Sequence, residues 1–207
     1  LFETLRTWNG RAPILRRHLA RMSRSAEELG IPLDRDAPPD ASAIAELLRA
    51  NEIDGEALVR ISLSGGRSGT EGSTLWMSAN PLPSSPTRDG LAVDIGTWEV
   101  VRNDPLARHK TFNYWRRRIV FESAQRSGFD EALSTTADGT VWEGSRTNLF
   151  CVLGTSLRTP TLRGPIVPGI MRAVVLELAE GLSLEVVDDG ELTRDELRQA
   201  DEVFLSN

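Results

Sequence analysis

The segment HKTFNY at residues 109–114 contains the only lysine and the only tyrosine of the chain, Lys110 and Tyr114. All other members of the set of 24 lysine and arginine residues are arginine. A guanidinium stays protonated, whereas a desolvated lysine amine can lose its proton and attack a carbonyl carbon. Lys110 is therefore a candidate nucleophile, and a solvated lysine in a basic patch is the alternative. Nearby cations would favour the neutral amine if they cluster around it, namely Arg108, His109 and Arg116.

A carboxylate follows in the sequence VWEGSRTNLF, where Glu143 ends a predicted strand. A strand end is a rigid position from which a carboxylate can point into a site. Placed against a pyridine nitrogen, it would keep that nitrogen protonated so that the ring accepts electrons. An exposed strand-end glutamate without a catalytic role is the alternative.

An anion site is predicted where the sequence PGIMR, at 168–172, changes from loop to helix. The first amides of that helix, those of Ile170 and Met171, have no carbonyl partner within the helix and lie at its positive end. Arg21, in the sequence HLAR, could clamp a phosphate through two hydrogen bonds. The alternatives are a helix end that binds nothing and a solvated arginine on an amphipathic helix.

These candidate residues belong to a chain that mixes helices and strands. Apolar residues at alternating steps of four and three predict a helix over 15–29, and Asp40 is the expected N-cap of a second helix. Asp138 and Gly139 predict the turn of a β-hairpin. The other elements predicted are strands at 57–64, 73–79, 91–100, 147–153, 182–188 and 201–207, a glycine-rich turn at 64–69, and helices from about 114 to 125 and after 169.

The predicted fold class is α+β, with a small domain at 1–80, a Pro/Ser-rich linker at 81–90 and a larger domain at 91–207. The chain begins without methionine in a strand-like segment and ends in another one. We therefore expect both ends to be truncated.

Composition excludes several classes of function. A net charge of -6 and a pI of 5.1 argue against nucleic acid as the main partner. A single cysteine, Cys151, excludes a disulfide framework and fits the reducing cytoplasm. No apolar run approaches the length of a membrane span, so no membrane partner is expected, and no metal site is predicted.

Six segments resemble, in the same order, the class IV (fold type IV) pyridoxal-phosphate aminotransferases. That group includes branched-chain aminotransferases, D-amino-acid aminotransferases and 4-amino-4-deoxychorismate lyases. The resemblance implies a two-domain enzyme with a small α/β N-terminal domain and a β-barrel-like core in the larger domain. The segments lie at 2–10, 18–31, 109–114, 130–150, 159–172 and 200–207.

The resemblance assigns roles to the candidate residues. Lys110 matches the lysine that forms the Schiff base with pyridoxal 5'-phosphate, and Glu143 matches the carboxylate that faces the pyridine nitrogen. Arg21, with the amides of Ile170 and Met171, matches the phosphate site. Met171 replaces the more common threonine, so a hydroxyl is lost while the backbone donors remain.

Three further residues match positions around the cofactor and substrate. Tyr114 resembles the tyrosine that binds the phenolic oxygen of the cofactor, although branched-chain enzymes place one more residue between the lysine and this tyrosine. Phe2 and Arg60 match residues that line the substrate pocket, where Arg60 could hold a carboxylate. The family's opening residues and its C-terminal strands are absent from this chain.

The resemblance implies an aminotransferase that moves an amino group from a branched-chain-like amino acid to a 2-oxo acid. The alternative is a 4-amino-4-deoxychorismate lyase, which releases pyruvate and 4-aminobenzoate from aminodeoxychorismate. The sequences GIMR and SLSGGRSG are similar to those of lyase members. A non-catalytic relative that binds the cofactor is a third interpretation, and a homodimer is expected in each case.

Overall fold

The computed structural model describes residues 1–34, 36–66, 72–83 and 90–207. The chain divides into two compact units, of which the first is Leu1–Thr87 with Lys110–Phe112 and the second is Arg88–His109 with Asn113–Asn207. The short segment around the single lysine therefore clusters with the first unit, although it lies inside the predicted larger domain. The predicted division at 1–80, 81–90 and 91–207 stays a prediction, since residues 84–89 of the linker lie outside the described residues.

The first unit is an antiparallel sheet covered on one face by two helices. Its strands are β1 (Phe2–Arg6), β2 (Ala57–Ser64) and β3 (Thr74–Pro81), in the order β1-β2-β3. The helices α1 (Leu15–Glu28) and α2 (Ala41–Ala50) pack their apolar faces on this sheet. The core between them contains Leu5, Leu15, Met22, Ala26, Ile44, Leu48, Val59, Ile61 and Leu63.

Local sequence accounts for these elements. The periodic helix predicted at 15–29 is confirmed, and it ends one residue early, before Gly30 takes a left-handed φ of 65°. The predicted N-cap is also confirmed, because the Asp40 carboxylate accepts a 2.9 Å hydrogen bond from the Ala43 amide. The glycine-rich turn lies partly outside the described residues, at 67–69.

The second unit contains a seven-stranded sheet within the described residues. The strand order is β4-β5-β6-β7-β8-β9, and β10 pairs with β7. The pairs β4–β5 and β8–β9 are parallel and the others are antiparallel. The strands are β4 (Val93–Glu99), β5 (Glu131–Thr135), β6 (Val141–Gly144), β7 (Asn148–Leu153), β8 (Ser156–Arg158), β9 (Glu185–Val187) and β10 (Glu202–Ser206), and the helices are α3 (Trp115–Arg126), α4 (Ile170–Glu180) and α5 (Arg194–Gln199).

Two short elements of this unit were not predicted. Strand β8 is only three residues long, so it gives almost no periodic signal. Helix α5 does carry a recognisable signal, because Thr193 and Glu196 form a reciprocal capping box at its start. The hairpin turn was predicted correctly, and its Gly139 has a φ of 86°. Within the described residues, no helix has both the length and the apolar character needed to cross a membrane.

Candidate functional site

Three of the predicted site residues converge in the first unit. The Phe2 amide donates a 2.9 Å hydrogen bond to the Lys110 carbonyl, which fixes the lysine beside the start of β1. The Phe2 ring centroid lies 4.8 Å from Lys110 Nζ and 4.0 Å from Arg60 Cζ. Both cations thus lie close to the same aromatic ring, an attractive arrangement because the faces of a ring carry partial negative charge. Arg116, one of the basic residues near the lysine in the sequence, donates a hydrogen bond to the Glu99 carbonyl.

Arg21 belongs to a buried cluster in the same unit. Its Nε donates to Glu3 Oε1 at 2.8 Å, and its Nη2 donates to Glu3 Oε2. His18 Nδ1 lies 2.7 Å from Glu3 Oε2. All three side chains are buried. The interpretation of Arg21 as a solvated arginine is therefore wrong, because α1 turns this residue toward the sheet and β1 supplies its counter-charge.

The Glu3 carboxylate has an unusual environment for a strand residue. Burial raises the pKa of Glu3, but the hydrogen bonds and the charges of Arg21 and His18 together outweigh burial and hold this pKa below its ordinary value. Glu3 is thus ionised over a wider pH range than an exposed glutamate. Because it binds two donors on one edge of the guanidinium, it also restrains the orientation of Arg21.

Replacement of Glu3 by glutamine is expected to destabilise the first unit by about 3 kcal/mol at neutral pH, because it removes the buried charge that faces Arg21. The folded pKa of Glu3 is lowered from 4.5, so the ionised group stabilises the fold above that pH. This stabilisation is lost as the pH falls through the lowered pKa. Urea unfolding at a series of pH values should show the wild type and Glu3→Gln converging in strongly acidic solution. A difference that stays constant with pH would contradict this assignment.

Glu143 is the centre of a second buried cluster, in the second unit. It is only 3% exposed at the end of β6, so the interpretation as an exposed strand-end glutamate is wrong. Its Oε2 accepts hydrogen bonds from the Val167 amide at 3.0 Å and from Asn148 Nδ2 at 3.3 Å. Its Oε1 accepts a hydrogen bond from Arg117 Nη2. These three donors orient the carboxylate and stabilise its negative charge.

Arg117 is a member of this cluster that the sequence did not single out. Its guanidinium lies 5.3 Å from the Trp98 ring centroid and 5.4 Å from that of Tyr114. Burial lowers the pKa of Arg117, but the charge of Glu143, its hydrogen bond with the guanidinium and the other acidic groups nearby together outweigh burial, so the pKa lies above its ordinary value. The spacing of Tyr114, Arg117 and Ala124 on the inner side of α3 was the signal that could have identified it.

A second buried carboxylate, Glu131, supports the turn between β6 and β7. Its Oε1 accepts from the Ser145 amide at 3.1 Å and from Ser145 Oγ at 2.6 Å, and its Oε2 accepts from Thr147 Oγ1 at 3.2 Å. This turn connects Glu143 directly to Asn148. Glu131 therefore restrains the turn that carries both side chains. Nothing in the sequence distinguishes it from an ordinary strand-starting glutamate.

The predicted anion site begins at Gly169, the N-cap of α4. No side chain caps this helix end, and the amides of Ile170 and Met171 belong to the first turn, where they have no carbonyl acceptor within the helix. A Cβ on Gly169 would lie 1.8 Å from Asn148 Oδ1, so glycine is required for this close approach. Asn148 also donates to the Val167 carbonyl at 3.0 Å, and thus connects Glu143 to the segment before the helix.

Tyr114 occupies the N-cap position of α3, with its ring beside the Arg117 guanidinium. A role for its phenol with the cofactor stays a prediction. The second unit contains an oriented carboxylate, Glu143. It also contains a helix end without a side-chain cap, at Ile170, which lies 27 residues further along the chain. An electron-accepting, phosphate-bearing ring is a group that such donors could hold.

Comparison with known proteins identifies the family. The family described as amino-transferase class IV matches residues 1–207. A Methanocaldococcus jannaschii protein provisionally named a branched-chain-amino-acid aminotransferase is 30% identical, with 100% of this chain and 74% of the relative covered. The branched-chain-amino-acid aminotransferase of Escherichia coli is 26% identical, with coverages of 100% and 72%.

Solved structures show the same relationship. A Legionella pneumophila protein provisionally named a 4-amino-4-deoxychorismate lyase superimposes with a TM-score of 0.87 at 25% identity, over 100% of this chain and 78% of that one. A branched-chain aminotransferase from Thermoproteus uzoniensis, solved with norvaline, gives a TM-score of 0.84 at 28% identity, with coverages of 100% and 73%. A fold IV transaminase from Curtobacterium pusillum gives 0.83 at 26% identity, with coverages of 99% and 72%. The predicted mixed fold of type IV is confirmed by these similarities.

Proposed function

This chain belongs to the class IV aminotransferases, and we propose that it is a pyridoxal-phosphate-dependent enzyme that moves an amino group from an amino acid to a 2-oxo acid. The observation that carries the proposal is Glu143, a buried carboxylate oriented by three donors at the end of a strand. Relatives named as branched-chain aminotransferases support an amino donor of that type or a similar one. A homodimer in the cytoplasm is part of the proposal, and the buried thiol of Cys151 is consistent with a reducing compartment.

The residues present fit pyridoxal 5'-phosphate in chemical type. Lys110 supplies the amine, and Glu143 supplies a negative charge for the pyridine nitrogen. Arg21 and the amides of Ile170 and Met171 supply phosphate donors. The Asn148 side chain against Gly169 keeps the start of α4 free of a bulkier N-cap residue. Tyr114 is proposed to donate to the phenolic oxygen.

When bound, pyridoxal phosphate supplies a carbon that primary amines attack and a ring that accepts an electron pair. The protein's own residues then perform the remaining tasks. Lys110 Nζ would take the α-proton of the substrate and hold it for return, which is general acid–base catalysis by the lysine amine. Glu143 would hold a proton on the pyridine nitrogen by its negative charge. Phe2 and Arg60 orient the substrate, with Arg60 binding a carboxylate.

A 4-amino-4-deoxychorismate lyase is the second candidate function. Met171 occupies the position of the commoner threonine, and one of the superimposed structures carries the lyase name. The same lysine would remove and return protons while the substrate loses pyruvate and becomes 4-aminobenzoate. The residues in the two candidate reactions are identical, so only the products distinguish them.

Two measurements test the proposed function. We expect the protein incubated with pyridoxal phosphate to develop the visible absorption band of a lysine-linked cofactor. We also expect keto-acid formation from branched-chain donors with 2-oxoglutarate. Pyruvate release from aminodeoxychorismate, with no turnover in the transaminase assay, would establish the lyase instead. An absorption band without turnover in either assay would indicate a non-catalytic relative, and absence of the band would refute the enzyme proposal.

A further inference from the structure

The sheet of the first unit has a second face, directed away from α1 and α2, which we call the open face. Side chains alternate between the two faces of a strand, and the core residues of β1, β2 and β3 occupy the helix-facing positions. The strand register places the remaining residues in rows. One row is Phe2, Ser62 and Trp76, and the next is Thr4, Arg60 and Ser78.

Three aromatic rings form a continuous stack on the open face. The Phe112 ring stacks on Phe2 at a centroid distance of 5.8 Å and an angle of 28°. It also stacks on Trp76 at 5.9 Å and 9°. Phe2 is buried, whereas Phe112 and Trp76 each remain 45% exposed. The open face therefore presents a flat aromatic surface of unusual exposure for side chains of this size.

A cation lies in the neighbouring row of the same face. Arg60 is exposed, and its guanidinium lies over the Phe2 ring. In the part of the chain that the structure describes, no ion pair is recorded for Arg60. Thr4 and Ser78 flank it in the register, so two hydroxyl-bearing residues are its cross-strand neighbours. This part of the face is complementary to a carboxylate.

We propose that the open face selects substrates that combine a planar aromatic ring with a carboxylate, in preference to aliphatic ones of the same size. Trp76, the outer ring of the stack, stacks on the ligand ring with Phe112 packed behind it, and Arg60 binds the carboxylate. The inference rests on the proposed function, because Lys110 Nζ approaches the same Phe2 ring at 4.8 Å. Aromatic amino acids, aryl 2-oxo acids and a ring-bearing lyase substrate share this chemistry.

The physical basis of the selection is the stacking alone. An aromatic ligand and an aliphatic ligand with the same number of carbons bury comparable apolar area and carry the same carboxylate, so burial and Arg60 favour both. Only the aromatic ring gains the additional attraction between offset aromatic faces, which corresponds to about 3- to 10-fold in affinity. The preference should therefore depend on Trp76, while the affinity common to both ligands should depend on Arg60.

Calorimetric titration of the purified protein with two unreactive acids tests this division. We expect 3-phenylpropionate to bind about 3- to 10-fold more tightly than 3-cyclohexylpropionate, which has the same number of carbons. Trp76→Leu should abolish this ratio, and Trp76→Phe should restore it. Arg60→Gln should weaken both acids equally. Trp8→Leu is the matched control, since Trp8 is an exposed tryptophan of the first unit that lies outside the three strands of the sheet and outside the aromatic stack, and it should leave the ratio unchanged.

Three results would overturn the proposal. One is equal affinity of the wild type for the two acids, and another is the same loss of preference in Trp8→Leu as in Trp76→Leu. The third is a Trp76→Leu protein that changes its oligomeric state in sedimentation while it retains the ligand ratio, which would assign the face to contact with a second copy. Failure of the proposed function is seen separately in the absorption spectrum with pyridoxal phosphate.

The turnover assays distinguish the sources of the ring. Phenylalanine should exceed leucine as amino donor if the ligand is an aromatic amino acid, and aminodeoxychorismate should be consumed if it is the lyase substrate. A visible band with leucine preferred over both would refute the open-face proposal and preserve the enzyme assignment. Tighter binding of the aromatic acid in calorimetry, without a visible band, would refute the enzyme assignment and preserve the open-face proposal.

Discussion

Replacement of Lys110 by alanine is expected to abolish the visible absorption of the protein with pyridoxal phosphate and to reduce turnover at least about 1,000-fold. The reason is that no other lysine exists in the chain to supply a neutral amine. Folding should be little affected, because the contact of Lys110 Nζ with the Phe2 ring is a partly exposed cation–π interaction of about 0.5–1 kcal/mol. Absorption spectra, steady-state rates and thermal unfolding of the same preparations measure these effects.

Lys110→Arg is the matched control for charge. It retains a cation beside Phe2, but a guanidinium stays protonated and cannot attack the cofactor. We therefore expect the arginine variant to be as inactive as the alanine variant and at least as stable as it. Appreciable turnover in Lys110→Arg would show that the lysine serves only as a positive charge.

Replacement of Glu143 by glutamine is expected to lower turnover by at least about 100-fold and to destabilise the protein by about 3–5 kcal/mol. The shape of the side chain is retained, so the losses come from its charge and from one acceptor oxygen, which becomes an amide donor facing another donor. Turnover falls because the pyridine nitrogen loses its negative partner. Stability falls because the largely buried Arg117 guanidinium loses the carboxylate that compensates it.

A double variant separates these two consequences. In Glu143→Gln combined with Arg117→Met, neither charge is present, so the uncompensated burial is removed and much of the stability should return. Turnover should stay as low as in the single variant, because the carboxylate is still missing. Urea unfolding and steady-state rates of the two single variants and the double variant complete the cycle. Recovery of turnover in the double variant would mean that Glu143 acts only as the counter-charge of Arg117.

The residues of each cluster were predictable to different degrees. Lys110 and Glu143 could be found from the sequence, since one is unique in type and the other follows a hairpin with a specific turn. For Arg117 the sequence offered only its position on the inner side of α3, and for Glu131 it offered no signal, although both restrain the Glu143 segment. Their roles depend on partners 26 and 14 residues away, Glu143 and Ser145, which local patterns do not specify.

The environment of a predicted residue was even harder to predict from the sequence. In the sequence, Arg21 is one of several arginines on an amphipathic helix, where solvent exposure is expected. In the structure it is buried against Glu3. The face of α1 that turns inward is determined by packing against β1, and the carboxylate that permits the burial lies 18 residues earlier. Trp76 and Phe112 were not predicted at all as neighbours, because their stack joins a strand to a separate segment of the chain.

The sequence by itself determined most of the secondary structure, the family and the chemical types of the candidate groups. Helix periodicity, caps and turn residues act over a few positions, and the order of the motifs is a property of the chain alone. Only the tertiary structure decided which charges are buried and compensated, which donors orient Glu143, and which aromatic rings lie beside Arg60. Those outcomes depend on contacts between distant segments, where packing and the cost of burying an uncompensated charge select one arrangement among many that the local sequence permits.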